Sequence, residues 1–236
     1  MAGRDFVLVH GAWRGGWCWG PVRDRLTARG HRVFTPTLTG LGERAHLMSG
    51  AIDLDTHIRD VVGVFEFEDV RDAVLVAHSY GGWPVSGALE QIGARVRAVV
   101  FLDAFVPQDG QRGLDMQSAE SAAGVRAALA RGDVSRPGPT AAAFGGRPDA
   151  AAWIDARTTP QPIGVSLQPI RLAGARERVA RKVYVRATAY PQPTFDRHLQ
   201  EARAAGWETH EMPVGHDLMV DAPDAVADLL ASISAP

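Results

Sequence analysis

The chain has 236 residues, of which 46% are hydrophobic, and it carries a formal net charge of −2. This length suffices for one large core and excludes two full-sized domains with separate functions, so we expect one domain with an insertion. The small net charge and the absence of a Lys/Arg-rich run argue against a nucleic-acid or anionic-membrane surface, and favour a small, uncharged partner.

The first residues of the chain and its cysteine content bear on location. No apolar segment near the start is long enough for a signal peptide or a membrane span. The single cysteine, Cys18, excludes an intramolecular disulfide and fits a reducing compartment. These features predict a cytoplasmic protein.

Short β-branched runs alternate with longer amphipathic segments along the chain, a pattern typical of parallel strands joined by helical crossovers. The predicted strands lie at 6–9, 32–36, 73–78, 97–102, 182–187 and 207–212. The predicted helices lie at 17–29, 54–67, 82–93, 195–205 and 222–233. The fold class predicted from this order is α/β, with a doubly wound, mostly parallel sheet of about six strands.

One segment departs from the alternation. Residues 106–176 are rich in Ala, Gly, Arg and Pro and contain no convincing strand, and they lie between two predicted strands. We therefore predict a small helical cap insertion at 106–176 over the sheet edge, with residues 1–105 and 177–236 forming the core. Caps of this kind commonly define a pocket.

The most informative motif is an apolar run that ends in Ala77-His-Ser79-Tyr-Gly81-Gly. A serine between a strand and a helix, with a glycine two residues later, is the layout of a nucleophile elbow, in which the serine is held in a strained backbone conformation. Ala77 replaces the usual first glycine, which adds one methyl group without breaking the pattern. Ser79 is the predicted nucleophile.

A serine nucleophile needs a base, and His216 is the best candidate because it follows the last predicted strand on a loop at the carboxyl edge of the sheet. His78 adjoins Ser79, but neighbouring side chains on a turn point apart, and His10 is expected to shape the loop after the first strand. The other histidines fall at helix ends, in polar segments or within a strand, where a solvated or structural role is the better interpretation: His31, His46, His57, His198 and His210.

Two aspartates compete as the acid that orients the base. Asp103 ends an otherwise apolar strand, where an unpaired carboxylate would be costly to bury. Asp196 lies in the first turn of a predicted helix, where an acidic residue has the ordinary role of interacting favourably with the helix dipole. We favour Asp103 and keep Asp196 as the alternative.

The backbone amides of Ala12 and Tyr80 are predicted to form the oxyanion hole, because Gly11 lets the chain turn after the first strand and Tyr80 directly follows Ser79. Aromatic residues near these loops are candidates for an apolar substrate pocket, although such residues are more often simply core. The pocket candidates are Trp13, Tyr80, Trp83, Phe105 and Met219, with Trp153 as a weaker one from the cap.

These motifs together resemble the α/β-hydrolase superfamily, within the branch of plant methylesterases and hydroxynitrile lyases and their bacterial esterase relatives, which include pyrethroid-hydrolase-like carboxylesterases. The resemblance extends over nearly the whole chain outside the cap and is carried by residues 6–12, 16–19, 37–44, 77–82, 101–107 and 215–219. It implies an ester hydrolase without a cofactor or a metal.

Two departures from the branch affect the expected chemistry. The plant lyases carry a threonine and a lysine at the positions of Gly11 and Asp217, and an aspartate in place of the lysine would oppose departing cyanide. The usual acid of the family follows the strand at 182–187, where this chain has Ala187-Thr-Ala-Tyr190 and no carboxylate. Some superfamily members have the acid on the preceding strand, which again favours Asp103.

The sequence therefore predicts a serine carboxylesterase that cleaves small to medium hydrophobic or aromatic esters through an acyl-enzyme. Its activity should rise with pH as an imidazole base loses its proton. Two alternatives stay open: a lyase or biosynthetic cyclase that uses the same serine and histidine, and a small-molecule receptor on a hydrolase fold. The expected partner is a small hydrophobic ester, with neither nucleic acid nor membrane, and the family resemblance allows a homodimer.

Overall fold

A parallel six-stranded sheet forms the centre of the computed structural model, which describes residues 3–234. The strand order is β2-β1-β3-β4-β7-β8, and every neighbouring pair is parallel, which confirms the predicted fold class. Two short strands, β5 and β6, form a separate antiparallel pair. In chain order the strands are β1 Asp5–Val9, β2 Arg32–Phe34, β3 Ala73–His78, β4 Val96–Leu102, β5 Ser135–Arg136, β6 Gln161–Pro162, β7 Arg181–Ala187 and β8 Glu208–Met212.

Helices cover both faces of the sheet, and their bounds follow the predicted ones closely except at the first. The segment 17–29 is a 3-10 turn, Gly16–Trp19, followed by a helix that starts at Gly20, with Pro21 in its first turn, where a proline is tolerated. The helices are α1 Gly20–Ala28, α2 Leu54–Phe67, α3 Gly82–Ile92, α4 Ala119–Ala130, α5 Pro148–Asp155, α6 Ala175–Arg178, α7 Pro193–Ala204, α8 Leu218–Asp221 and α9 Pro223–Ser234.

The central strands are apolar on both sides, as strands buried between two helical layers must be. Side chains alternate along β1, so that Val7 and Val9 join the core beneath α2 and α3, whereas Phe6 and Leu8 join the core beneath α1 and α9. All six residues of β3 are buried. This double burial fixes the register of the central strands and the positions of the loops at their carboxyl ends.

The segment 106–176 consists of short helices and turns, together with the β5–β6 pair, which the sequence did not predict. Its elements are α4, α5, the first residues of α6 and 3-10 turns that include Ala141–Phe144. A small apolar cluster ties α4 to the turn that follows β6, through Val125, Ala128 and Ile163. The helical character expected of the cap is present, and the division into core and cap stays a prediction.

Among residues 3–234, none of the helices combines the length and the apolar composition that crossing a lipid bilayer requires.

Candidate active site

Ser79 lies on a tight turn between β3 and α3. Its φ is +51°, in the left-handed region that residues with a side chain rarely adopt. A Cβ at Gly82 would lie 1.9 Å from the Phe105 carbonyl oxygen, and one at Gly81 would lie 2.8 Å from the His10 carbonyl oxygen. The two glycines therefore let the turn pack against the neighbouring loops, while Ala77 fits within the buried strand.

Ser79, His216 and Asp103 are joined by a chain of hydrogen bonds. The Ser79 hydroxyl lies 2.9 Å from His216 Nε2, and His216 Nδ1 lies 2.6 Å from Asp103 Oδ2. The residues follow three different strands, β3, β4 and β8, whose carboxyl ends share one edge of the sheet. We call these three residues the triad. The arrangement allows a proton to move from the hydroxyl to the imidazole while the carboxylate holds the other ring nitrogen.

Arg186, at the end of β7, contacts the carboxylate from the other side. Asp103 Oδ1 accepts hydrogen bonds from Arg186 Nη1 at 2.9 Å and from the Ala187 amide at 3.1 Å. Both side chains of the ion pair are almost completely buried. The carboxylate is thus ionised and fixed by two donors besides the histidine. Sequence reasoning missed Arg186, although an arginine within an apolar strand signals a buried acidic partner.

Asp196, the alternative acid, is not hydrogen-bonded to His216. It lies in the first turn of α7, as predicted, with a side chain that is 61% exposed. Its carboxylate accepts a hydrogen bond from Arg186 Nε at 2.8 Å, so Arg186 bridges the two aspartates. Burial opposes the charge of Arg186, but the two carboxylates raise the pKa of its guanidinium above the ordinary value. The structure therefore brings Asp103, and not Asp196, to the histidine.

The His216 ring is held by aromatic neighbours and by its own backbone. Phe195 and Phe144 stack on it at centroid distances of 5.4 and 5.3 Å, and Tyr190 lies at 4.7 Å. The His216 amide donates to the Phe144 carbonyl, and the His216 carbonyl accepts from His78 Nε2 at 2.8 Å. The imidazole is thereby confined to the plane in which both ring nitrogens reach their partners.

The remaining histidines have structural contacts, in agreement with their predicted roles. His10 shapes the loop after β1, since its ring accepts from the Leu38 amide and donates to the Gly11 carbonyl. Burial lowers the pKa of His10 to about 4 and that of His78 to about 3, so both are neutral near pH 7. His57 is buried between the Tyr80 hydroxyl and the Thr39 carbonyl.

The loop after β1 approaches the nucleophile closely. A Cβ at Gly11 would lie 2.8 Å from both Ser79 Cβ and His78 Nδ1, so only glycine fits there. Ala12 and Tyr80 both line the cavity that contains Ser79. The Tyr80 amide lies in the first turn of a 3-10 helix, where backbone N–H groups have no helical acceptor. These features suit the two amides to an oxyanion.

A cavity of about 500 Å³ opens beside Ser79 and His216, a size that accommodates a small organic molecule. The predicted pocket residues Trp13, Tyr80, Trp83 and Phe105 all line it. The segment 106–176 contributes much of the remaining wall, with Gly113, Met116, Gln117, Ser118, Ser121, Arg136, Pro139, Phe144, Gln161 and Ser166.

Two pocket predictions need correction. Met219 is fully buried in the core beneath α1 and α9 and does not line the cavity, because the first residues of α8 turn inward directly after His216. Trp153, on α5, does not line it either and packs edge-on against Trp17 at 4.9 Å. Adjacency to a catalytic loop in sequence did not determine which way these side chains face.

Asp217 also faces away from the cavity. Its carboxylate pairs with Arg14 at 2.8 Å, and both side chains are almost completely buried. Burial raises the pKa of Asp217, but the Arg14 guanidinium outweighs it and holds that pKa below the ordinary value. The expected repulsion between Asp217 and departing cyanide is therefore screened by Arg14, and the argument against a lyase comes down to the missing lysine.

Within residues 3–234, no group of three or more His, Cys, Asp or Glu side chains is arranged to hold a metal ion.

Comparison with known proteins places this geometry in a family. The model of the alpha/beta hydrolase family matches residues 6–229. This chain belongs to the alpha/beta hydrolase family. The predicted recognition is thereby confirmed, and so is the prediction of an enzyme of the hydrolase class.

One relative is similar over the whole chain. It is a carbendazim hydrolyzing esterase of Nocardioides sp. (strain SG-4G), 39% identical, and the match covers 97% of this chain and 99% of that protein. The predicted enzyme class, a hydrolase of esters, agrees with this relative. Salicylic acid-binding protein 2 of Nicotiana tabacum is 35% identical over 106 residues, a match that covers 44% of this chain and 41% of that protein.

A solved structure has a similar fold over the full length. It is an extracellular alpha/beta-hydrolase from a Paenibacillus species, described as sharing structural and functional homology with tobacco salicylic acid binding protein 2. Its TM-score is 0.84 at 25% identity, and the match covers 97% of this chain and 98% of that one.

Proposed function

We propose that this hydrolase is a serine carboxylesterase that works through an acyl-enzyme, with Ser79 as nucleophile, His216 as base and Asp103 as the orienting acid. The observation that carries the proposal is the pair of hydrogen bonds that His216 makes, to Ser79 at 2.9 Å and to Asp103 at 2.6 Å, beside a cavity of organic-molecule size.

The proposed reaction has two halves. The Ser79 oxygen attacks the ester carbonyl while His216 Nε2 takes the hydroxyl proton, and the Ala12 and Tyr80 amides hold the negative oxygen. The carbon–oxygen bond to the alcohol then breaks, and His216 returns the proton to the departing alcohol. Water attacks the acyl-enzyme in the same way and releases the acid and the free serine.

The arrangement behind Asp103 supports this assignment. A triad carboxylate must stay ionised when the histidine becomes an imidazolium, and Asp103 is held ionised by Arg186. The cavity wall, with its aromatic side chains, favours substrates with a hydrophobic or aromatic acyl or alcohol group. The full-length relative's name, an esterase that hydrolyses carbendazim, supports small aromatic esters or carbamates as substrates. A cytoplasmic location and a homodimer stay predictions.

The test is the loss of p-nitrophenyl acetate hydrolysis in Ser79→Ala, with Ser86→Ala as the matched control. Ser86 lies seven residues further on, on α3, is fully buried and has a hydroxyl with no hydrogen-bond partner among the described residues. We expect Ser79→Ala to lose activity while its circular dichroism spectrum is unchanged, and Ser86→Ala to retain activity. Activity retained in folded Ser79→Ala would refute the proposal.

Labelling with a fluorophosphonate separates the esterase from the other candidates. The esterase is expected to lose activity as one phosphonyl group is added to Ser79, detected by peptide mass spectrometry. Rapid labelling of an otherwise native protein that turns over no ester in a panel of graded acyl and alcohol size would instead favour the receptor or the biosynthetic enzyme.

A further inference from the structure

Three side chains in the cavity wall carry hydrogen-bond donors that have no acceptor. Trp13 Nε1, Arg136 Nε and Gln161 Nε2 are buried and unpaired among the described residues, and all three residues line the cavity that contains Ser79. We call Trp13, Arg136 and Gln161 the donor cluster. Buried donors in proteins are nearly always paired, so a group of three beside a catalytic serine indicates a place for a ligand.

The three side chains are assembled by contacts between the loop after β1 and the β5–β6 pair. Arg136 and Gln161 are opposite each other in that antiparallel pair, so their side chains leave the same face about 5 Å apart. The Arg136 guanidinium lies over the Trp13 ring, 4.7 Å from its centroid. Trp13 itself has a φ of +62°, an unusual conformation for a tryptophan.

Gln161 is oriented by the backbone of the same tryptophan. Its Oε1 accepts a hydrogen bond from the Trp13 amide at 3.0 Å, and its side chain is almost completely buried. Because an amide N–H can donate only to the oxygen of the glutamine, the Gln161 nitrogen must be the end left unpaired. The cluster therefore presents donors and no acceptor.

Charge narrows the ligand further. Arg136 forms no ion pair, and the 22 described residues that line the cavity include neither aspartate nor glutamate. Burial lowers the pKa of Arg136 because its positive charge has no partner. A guanidinium remains charged at neutral pH and matches the two oxygens of a carboxylate with parallel hydrogen bonds. A carboxylate accepts and does not donate, which is what these nitrogens require.

We propose that the donor cluster binds a carboxylate carried by the substrate, so that the enzyme prefers esters with a free carboxylate over neutral esters of the same size. This inference rests on the proposed esterase function and refines its substrate class. It also changes the expectation of an uncharged partner, because net charge averages over the surface and contains no information about one guanidinium inside a cavity.

The first experiment compares matched substrates. The p-nitrophenyl monoester of adipic acid is compared with p-nitrophenyl hexanoate for a carboxylate on the acyl part, and 4-acetoxybenzoate with phenyl acetate for one on the alcohol part, with spontaneous hydrolysis subtracted. We expect kcat/KM to favour the anionic member of at least one pair by about tenfold or more, the effect of one charged hydrogen-bonding contact. Equal values within both pairs would overturn the proposal.

The second experiment replaces the arginine. Arg136→Gln is expected to reduce the anionic-to-neutral ratio of kcat/KM at least tenfold, mainly through KM, and Arg136→Lys to restore it in part because the charge remains without the planar fork. Arg157→Gln is the matched control, since Arg157 is exposed and lies over Trp153 at 4.9 Å, outside the cavity. It should retain the wild-type ratio. An equal loss with both members of a pair in Arg136→Gln would contradict a carboxylate subsite.

Binding without turnover separates this inference from the esterase proposal. Calorimetric titration of Ser79→Ala with monomethyl adipate should show binding that the added Arg136→Gln substitution weakens about tenfold or more. If the enzyme cleaves no ester and this Arg136-dependent binding is present, the subsite stands and the esterase proposal fails. If esters are cleaved with no preference and binding does not depend on Arg136, the subsite is wrong and the esterase proposal stands.

Discussion

The triad and the donor cluster line one cavity, yet they use their hydrogen bonds in opposite ways. In the triad, both His216 ring nitrogens and both Asp103 oxygens are partnered within the protein. In the donor cluster, each side chain leaves one nitrogen unpaired. Saturated contacts fix a geometry and define where a proton can move, whereas unsaturated donors hold binding capacity for another molecule. The contrast separates the residues suited to chemistry from those suited to choosing a substrate.

The largest expected effect tests the triad against its neighbour. Asp103→Asn should lower kcat for p-nitrophenyl acetate by about 10³- to 10⁴-fold, because an asparagine cannot hold the histidine in the reactive tautomer or stabilise its imidazolium. Asp196→Asn, the matched control, should lower kcat by less than about tenfold, since Asp196 contacts only Arg186 and is mostly exposed. Large loss confined to Asp196→Asn would reverse the assignment.

The next effect concerns the arginine behind the triad. Arg186→Met leaves the buried Asp103 carboxylate without its ion pair, and we expect the free energy of unfolding to fall by about 3–5 kcal/mol in urea denaturation at pH 7.5. Arg203→Met is the control, because its pair with Glu211 is solvent-exposed, and it should cost less than about 1 kcal/mol. Equal costs would show that Asp103 does not depend on Arg186.

A third prediction uses the neutral histidines next to the triad. Since His10 and His78 have pKa values of about 4 and about 3 when folded and about 6.5 when unfolded, the unfolded chain binds more protons below pH 6.5. Stability is thus fully present above pH 6.5 and is lost as pH falls, by about 2–3 kcal/mol per histidine at pH 4.5. Urea denaturation from pH 7.5 to 4.5 measures this loss.

Two variants assign that pH dependence. His78→Gln should make the drop in unfolding free energy smaller, because glutamine does not titrate, whereas His46→Gln should leave it as in the wild type, since His46 is exposed. The same pH dependence in His78→Gln as in the wild type would contradict a neutral, buried His78.

The smallest expected effect lies in the donor cluster. Arg136→Met should change the free energy of unfolding by less than about 1 kcal/mol, because Arg136 has no ion pair to lose and only its stacking on Trp13 disappears. Set beside Arg186→Met, this variant sharpens the comparison, since two arginines that border the same site would differ several-fold in their structural cost. A loss as large as that of Arg186→Met would show that Arg136 is a structural residue.

The fold was largely predictable because burial leaves a periodic signal. Strands buried between two helical layers are continuous apolar runs, and the runs at 73–78 and 97–102 coincide with β3 and β4 to within one residue. The β5–β6 pair was not predicted, since two residues per strand are too few for any alternation. The boundary at 17–29 was wrong at its start because a 3-10 turn and a helix have similar apolar patterns.

By itself the sequence determined the family, the parallel sheet, the serine turn and the loops from which a triad could be built, because strand order and glycine placement are encoded by residues close together in the chain. Tertiary structure alone decided which carboxylate meets His216, that Arg186 bridges Asp103 and Asp196, that Met219 is core, and that Trp13, Arg136 and Gln161 meet. Those outcomes depend on contacts between residues up to 148 positions apart, such as Trp13 and Gln161, and on the direction of each side chain, which no local pattern specifies.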